Sequence, residues 1–231
     1  YHESGVGDAL RAVRDRIPRS NLFLQTKFTF QRGQDHRLPY DPSAPIAQQV
    51  EQSFESSLSH LGTDIIDSYV LHGPSQSNGF GAADWSAWRA MEALHDSKRV
   101  RFLGISNVSL SQLQALCQEA RVFPRFVQNR CYAIRGWDRN VRQFCAANGL
   151  LYQGFSLLTA NREVLTHPKL LRIAERHRRS AAQIIFRFAI EVGMLPLTGT
   201  TSPAHMQADL EVDQFQLTEE ELPQIENLLL S

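Results

Sequence analysis

The stretch Ile65-Ile66-Asp67-Ser68-Tyr69-Val70-Leu71-His72-Gly73-Pro74 decides how the rest of the chain is read. An apolar, partly β-branched run ends in one imidazole, and Gly-Pro follows at once. A run of this length bounded by turn residues fits a strand buried on both faces, although periodicity alone also admits a helical segment. Gly73 and Pro74 cannot continue a ladder, so His72 stands at the strand's end. In a parallel sheet the C-terminal strand ends are where chemistry is usually placed, which makes His72 a candidate site residue.

Working outward from this strand, the same alternation recurs. Upstream, Val6, Ala9, Leu10 and Val13 fall on one helical face of residues 3–16. Residues 22–28 read as a short strand whose single charge is Lys27, and a long polar loop, 29–45, reads as a lid or mobile excursion. Ile46, Val50, Phe54, Leu58 and Leu61 recur at helical spacing before Gly62, a good stop residue. Downstream, helix 85–98 turns Trp88, Met91 and Leu94 inward, and strand 100–106 ends in Ser106-Asn107. Then come helix 110–121, strand 126–128, helix 140–148, strand 150–156, helices 165–178 and 181–192, and strand 194–198. A helix over 200–212 starts with the cap and first-turn pair Ser202-Pro203, and Thr218 opens the last helix in capping-box form. Strand-helix repetition of this kind implies parallel strands with right-handed crossovers, and a closed (β/α)8 TIM barrel in one domain over 1–231. Six strands are countable, so the first strands are expected to lie before Tyr1.

Composition narrows the function. Lys plus Arg and Asp plus Glu balance at 24 each, which gives no electrostatic reason to expect a nucleic-acid or anionic-membrane partner. No stretch has membrane-spanning length. Cys117, Cys131 and Cys145 show neither CxxC nor Cys/His ligand spacing, so reduced thiols, no metal site and a cytoplasmic location are expected. Four polar features sit at predicted strand ends: Lys27, His72, Ser106-Asn107 and Gln128. Singly, each has an ordinary reading: a strand-end lysine with its head in water, a core imidazole, a helix cap. Together at one end of a parallel sheet, they support proton donation to a polar bond. Trp85 and Trp88, at helical spacing, read as packing. Trp137 reads equally as packing or as a pocket wall, and His177-Arg178-Arg179 as a solvated helix end. Cys131 carries no activating pattern.

These residues resemble the aldo-keto reductase family. Tyr1-His2-Glu3-Ser4-Gly5-Val6-Gly7-Asp8-Ala9-Leu10 is similar to its tyrosine segment, Thr26-Lys27 to its lysine strand, and Asp67 through Pro74 to its histidine strand. Gly104-Ile105-Ser106-Asn107, Val127-Gln128, Ala182-Gln183-Ile184 with Phe186-Arg187-Phe188, and Leu197-Thr198-Gly199-Thr200-Thr201-Ser202-Pro203 follow in family order. The resemblance implies reduction of an aldehyde or ketone with a nicotinamide cofactor, NADP(H) in preference to NAD(H). Tyr1 is then the general acid, Lys27 keeps it acidic, and His72 orients the substrate. Ser106, Asn107 and Gln128 would hold the nicotinamide carboxamide, and Phe155 would stack on its ring beside Ser156 and Leu157. Gly199, Thr200, Thr201, Ser202, His205 and Asp209 would meet the adenosine end. The family's aspartate partner of the lysine would lie before Tyr1, and the usual arginine and lysine of the cofactor loop are not matched. Two alternatives remain open: a cofactor-binding or scaffolding relative without turnover, and non-redox biosynthetic chemistry on the same fold. Substrate identity and oligomeric state are not legible.

Overall fold

The computed structural model describes residues 2–230. Contacts group the chain into two compact units, Tyr1–Phe126 and Val127–Ser231. The first contains α1 (Glu3–Val13), β1 (Gln25–Phe28), α2 (Ile46–Leu61), β2 (Ile66–Leu71), α3 (Ala82–Asp96), β3 (Val100–Ser106) and α4 (Leu110–Glu119), and β4 (Phe126–Arg130) begins at its boundary. The second carries α5 (Arg139–Ala147), β5 (Leu151–Phe155), α6 (Arg162–Leu165), α7 (Pro168–His177), α8 (Ala181–Glu191), β6 (Met194–Pro196), α9 (Pro203–Leu210) and α10 (Glu221–Glu226).

In the first unit the strand order is β1-β2-β3, all parallel. The register sets Phe28 opposite Leu71 and Leu71 opposite Ile105, so β1, β2 and β3 end level with one another. Every residue of β2 is buried, as expected of a parallel strand covered on both faces. Its one carboxylate, Asp67, accepts from the Leu24 amide at 2.9 Å and pairs with Arg19 at 2.7 Å and Arg101 at 3.0 Å. Burial raises the Asp67 pKa, but these partners outweigh it and the net direction is down. Around this strand Phe54, Tyr69, Trp88, Met91, Leu103 and Ile105 are fully buried.

Helix α2 stops where its sequence indicates, with Gly62 at φ +66° donating its amide to the Leu58 carbonyl. Helix α1 lies against α2 through Gly7, where a Cβ would come within 2.0 Å of the His60 carbonyl oxygen. The apolar face expected of α1 is not what it buries: Val6 is 47% exposed.

In the second unit β4, β5 and β6 follow in sequence order, with β5 and β6 parallel and Tyr152 opposite Met194. The helix expected over 165–178 starts later, at Pro168, which has no amide to donate and opens α7 with His167 as its cap, and the separate short helix α6 ends at Leu165. Helix α9 is capped by Ser202, whose side chain accepts from the His205 amide, but it ends at Leu210 and a 3₁₀ turn follows. At the last helix the Thr218 hydroxyl accepts from the Glu221 amide at 3.3 Å and the Glu221 carboxylate from the Thr218 amide at 2.9 Å. The capping-box bonds therefore form, while regular helix begins at Glu221. Among the described residues no helix is long and apolar enough to cross a membrane, and no group of three His, Cys, Asp or Glu could hold a metal ion.

Candidate functional site

The level strand ends of the first unit carry a hydrogen-bonded cluster. The His72 amide extends the β1–β2 ladder by donating to the Phe28 carbonyl at 2.8 Å, after which Gly73 and Pro74 turn the chain away. One residue past β1, the buried Thr29 places its hydroxyl 2.9 Å from His72 Nδ1. One residue past β3, Asn107 takes φ +50°, a left-handed conformation that asparagine tolerates better than most residues. Its Nδ2 donates to the His72 carbonyl at 2.8 Å and to Ser106 Oγ at 3.2 Å. Three neighbouring strand ends are thus tied together at His72.

Burial, and then the Lys27 ammonium, push the His72 pKa below its ordinary value, which favours the neutral ring. Lys27 is half-buried in the strand and lines a cleft of about 700 Å³ with Glu3, Thr26, Ser57, His60 and His72. A smaller cleft of about 330 Å³ also borders His72 and Thr29, with Arg32, Asn107 and Gln112 on its wall. Glu3, at the start of α1, accepts from the Thr26 and Ser57 hydroxyls and lies 3.3 Å from His60 Nδ1, which ties α1 to both β1 and α2. Residues 29–45 are tied down too. Tyr40 is buried and donates to the Thr29 carbonyl at 2.8 Å, and Gln34 donates to the same oxygen at 3.2 Å.

In the second unit, buried Gln128 donates from Nε2 to Gln153 Oε1 at 3.1 Å. Phe155 ends β5 with the Arg130 guanidinium 5.4 Å from its ring centroid, Ser156 follows at φ +57°, and Leu157 is buried. Before α9, Gly199 and Thr201 are exposed and Thr200 is half-buried. The Thr200 hydroxyl accepts from the Ser202 amide at 3.1 Å, and Thr200 Oγ1 lies 3.5 Å from His205 Nδ1. The Asp209 carboxylate accepts from the Thr198 hydroxyl at 3.1 Å.

The structure therefore brings Lys27, His72, Ser106 and Asn107 to adjacent strand ends of one unit. It places Phe155–Leu157 at the end of β5, and Gly199 through Ser202 in the loop before α9 with His205 and Asp209 on that helix; Gln128, expected at a strand end, lies in the middle of β4, which runs on to Arg130. Tyr1 lies outside the described residues. Ser106-Asn107 is not the cap of α4, which is Ser109. Thr29 and Glu3 were not singled out by sequence. Thr29 had a usable signal, since it is two residues from Lys27 and so projects to the same side of the strand.

Other expectations are corrected. Trp137 is not a pocket wall: it is fully buried against Phe188, at 5.3 Å between centroids, and its Nε1 donates to the Ile225 carbonyl. His177-Arg178-Arg179 is not simply solvated. His177 bonds Glu221 at 2.8 Å, Arg178 closes α7 at φ +53°, and Arg179 pairs with Glu211 at 3.1 Å. The Cys131 thiol, as expected, is not activated, and burial pushes its pKa up to about 12.

Residues 1–230 match the model of the Aldo/keto reductase family. The 9,11-endoperoxide prostaglandin H2 reductase of Trypanosoma cruzi is 28% identical over 230 residues, spanning 98% of this chain and 74% of the relative. The NADPH-dependent alpha-keto amide reductase of Saccharomyces cerevisiae is 28% identical over 234 residues, 96% of this chain and 70% of the relative. Among solved structures, an aldo/keto reductase from Brucella melitensis superposes with a TM-score of 0.82 at 28% identity, covering 98% of this chain and 80% of its own. The aldose reductase of Schistosoma japonicum, at 22% identity, shares the fold with a TM-score of 0.84, covering 100% of this chain and 77% of its own.

Proposed function

The chain belongs to the aldo/keto reductase family, and on that footing we propose that it reduces a small aldehyde or ketone to the alcohol with a nicotinamide cofactor, NADP(H) in preference to NAD(H). The observation that carries this reading is the register of β1, β2 and β3, which sets Lys27 and His72 at neighbouring strand ends lining a polar cleft, with the buried Ser106 ending the next strand. Carbonyl reduction requires a proton for the oxygen as the carbon is reduced. Tyr1 is the proposed donor. A free tyrosine, with pKa near 10, is a weak acid at neutral pH, and a nearby ammonium favours its ionised form; that is the role given to Lys27. His72, whose environment favours the neutral ring, would present an N–H to the same oxygen and fix its position.

On this reading each unit supplies groups suited to a nicotinamide. Ser106 Oγ accepts from Asn107, and on this reading the Ser106 hydroxyl would face a carboxamide oxygen and Asn107 Oδ1 a carboxamide N–H. Gln128 offers a second amide, and Phe155, with Ser156 and Leu157, an aromatic face. When bound, the reduced nicotinamide supplies the two electrons and the hydrogen that go to the carbonyl carbon. Thr200, Thr201, Ser202 and His205, at the N-terminal end of α9, are suited to a phosphate by hydroxyl, imidazole and backbone donors, beside Gly199 and Asp209. The NADPH dependence named for the yeast relative supports the preference for NADP(H). The three cysteines are free thiols, in keeping with a cytoplasmic location.

The test is the fall in reduced-nicotinamide absorbance when the protein is mixed with NADPH or NADH and a panel of small aldehydes and ketones. Turnover with NADPH is expected. No carbonyl-dependent oxidation of either cofactor would sink the reading.

A further inference from the structure

Thr29 has no part in the chemistry described so far, yet its hydroxyl lies 2.9 Å from His72 Nδ1, from a side chain that is only 8% exposed. We propose that Thr29 is a positioning residue that sets the tautomer of His72: its hydroxyl donates to Nδ1 and keeps the ring proton on Nε2. The role assigned to this tautomer rests on the reductase reading.

A neutral imidazole has one N–H and one lone pair, and which nitrogen carries the proton is decided by what each faces. A carbonyl oxygen only accepts. With the proton on Nδ1, Nε2 would turn a lone pair toward such an oxygen and repel it; with the proton on Nε2, the ring can hold the oxygen in place. An unpaired hydroxyl on so largely buried a residue is costly, and the Nδ1 lone pair at 2.9 Å is an acceptor within its reach.

The backbones of both residues are held. The His72 amide is fixed to the Phe28 carbonyl and the His72 carbonyl to Asn107, both at 2.8 Å. Thr29 is anchored in turn through its own carbonyl, which accepts from Tyr40 and Gln34. As a β-branched residue it has a restricted χ1, so the hydroxyl is presented to Nδ1 from a stiff support. Burial and the Lys27 charge favour the neutral ring on which the tautomer question depends.

The experiment is long-range ¹H–¹⁵N correlation NMR on the full chain with ¹⁵N-labelled histidine, the His72 signals being assigned by their loss in His72→Gln. The wild type should show a protonated Nε2 and a pyridine-like Nδ1. Thr29→Val, which removes the hydroxyl at nearly constant shape, should raise the Nδ1–H population and lower kcat about tenfold with cofactor KM unchanged. Thr29→Ser should restore both. A wild-type spectrum showing Nδ1–H or imidazolium near pH 7 would overturn the proposal, and this outcome needs no variant to fold. An unchanged tautomer in a folded Thr29→Val would overturn it as well. A wild type with the expected Nε2–H pattern that reduces no carbonyl would defeat the reductase reading and still support the hold of Thr29 on the ring.

Discussion

The first unit carries its candidate chemistry on the ends of buried strands, and the second carries much of its share on a loop and the eight-residue helix α9. Around His72, backbone and side chain are held by Phe28, Thr29 and Asn107 at 2.8–2.9 Å. Around Thr200 and Ser202, the contacts are a half-exposed ST turn and one helix cap at 3.1–3.5 Å. Geometry that must hold to a fraction of an ångström benefits from strand ends, whereas recognition of a charged, solvated group tolerates a loop. If this contrast is functional, changes in the first unit should act on kcat and changes in the α9 loop on cofactor KM.

The largest expected effect is that of Lys27→Met, a loss of about 10³-fold in kcat with the circular-dichroism spectrum retained. A variant that instead changed only cofactor KM would break the contrast. Trp137→Ala should be comparable in free energy but act on folding, costing about 3–5 kcal/mol in a urea titration, because it empties a fully buried site against Phe188. A loss of activity at unchanged stability would return Trp137 to the pocket.

Glu221→Ala should cost about 2 kcal/mol at pH 7, since it removes the partner of His177, Arg176 and the Thr218 amide, with Arg176 largely exposed and discounted accordingly. Burial opposes ionisation of Glu221, but its donors prevail and draw the pKa down to about 2. A carboxylate with a depressed folded pKa stabilises above its unfolded value, near 4.5, and loses that contribution as the pH falls toward 2. The difference between wild type and variant should therefore shrink over that window in urea titrations at successive pH values. A difference that grew on acidification would contradict the assignment. The smallest effect is expected from Ser202→Ala: about 1 kcal/mol through the lost α9 cap, and a few-fold rise in NADPH KM at constant kcat. A fall in kcat there would blur the division between strand-end and loop sites.

Features with local causes are legible in the sequence. The buried β2 run, the stop of α2 at Gly62, the bounds of β3 and the Ser202 cap each follow from residues within one turn or one strand of each other. Lys27, His72 and Ser106-Asn107 were legible as strand-end polar residues for the same reason. The start of α7 at Pro168 was equally local, and the apolar spacing around it obscured a proline that cannot sit inside a helix.

Other features depended on partners far along the chain. Thr29 meets His72 across 43 positions, Glu3 meets Ser57 across 54, and Glu221 meets Arg176 across 45. Trp137 carries no periodic mark that distinguishes a core ring from a pocket wall until Phe188 and Ile225 close over it. Helix and strand are decided by backbone hydrogen bonding and side-chain repeats that operate over a few residues. The partner of a side chain at a strand end is decided by the register of parallel strands, and that register is set only when the crossover helices pack.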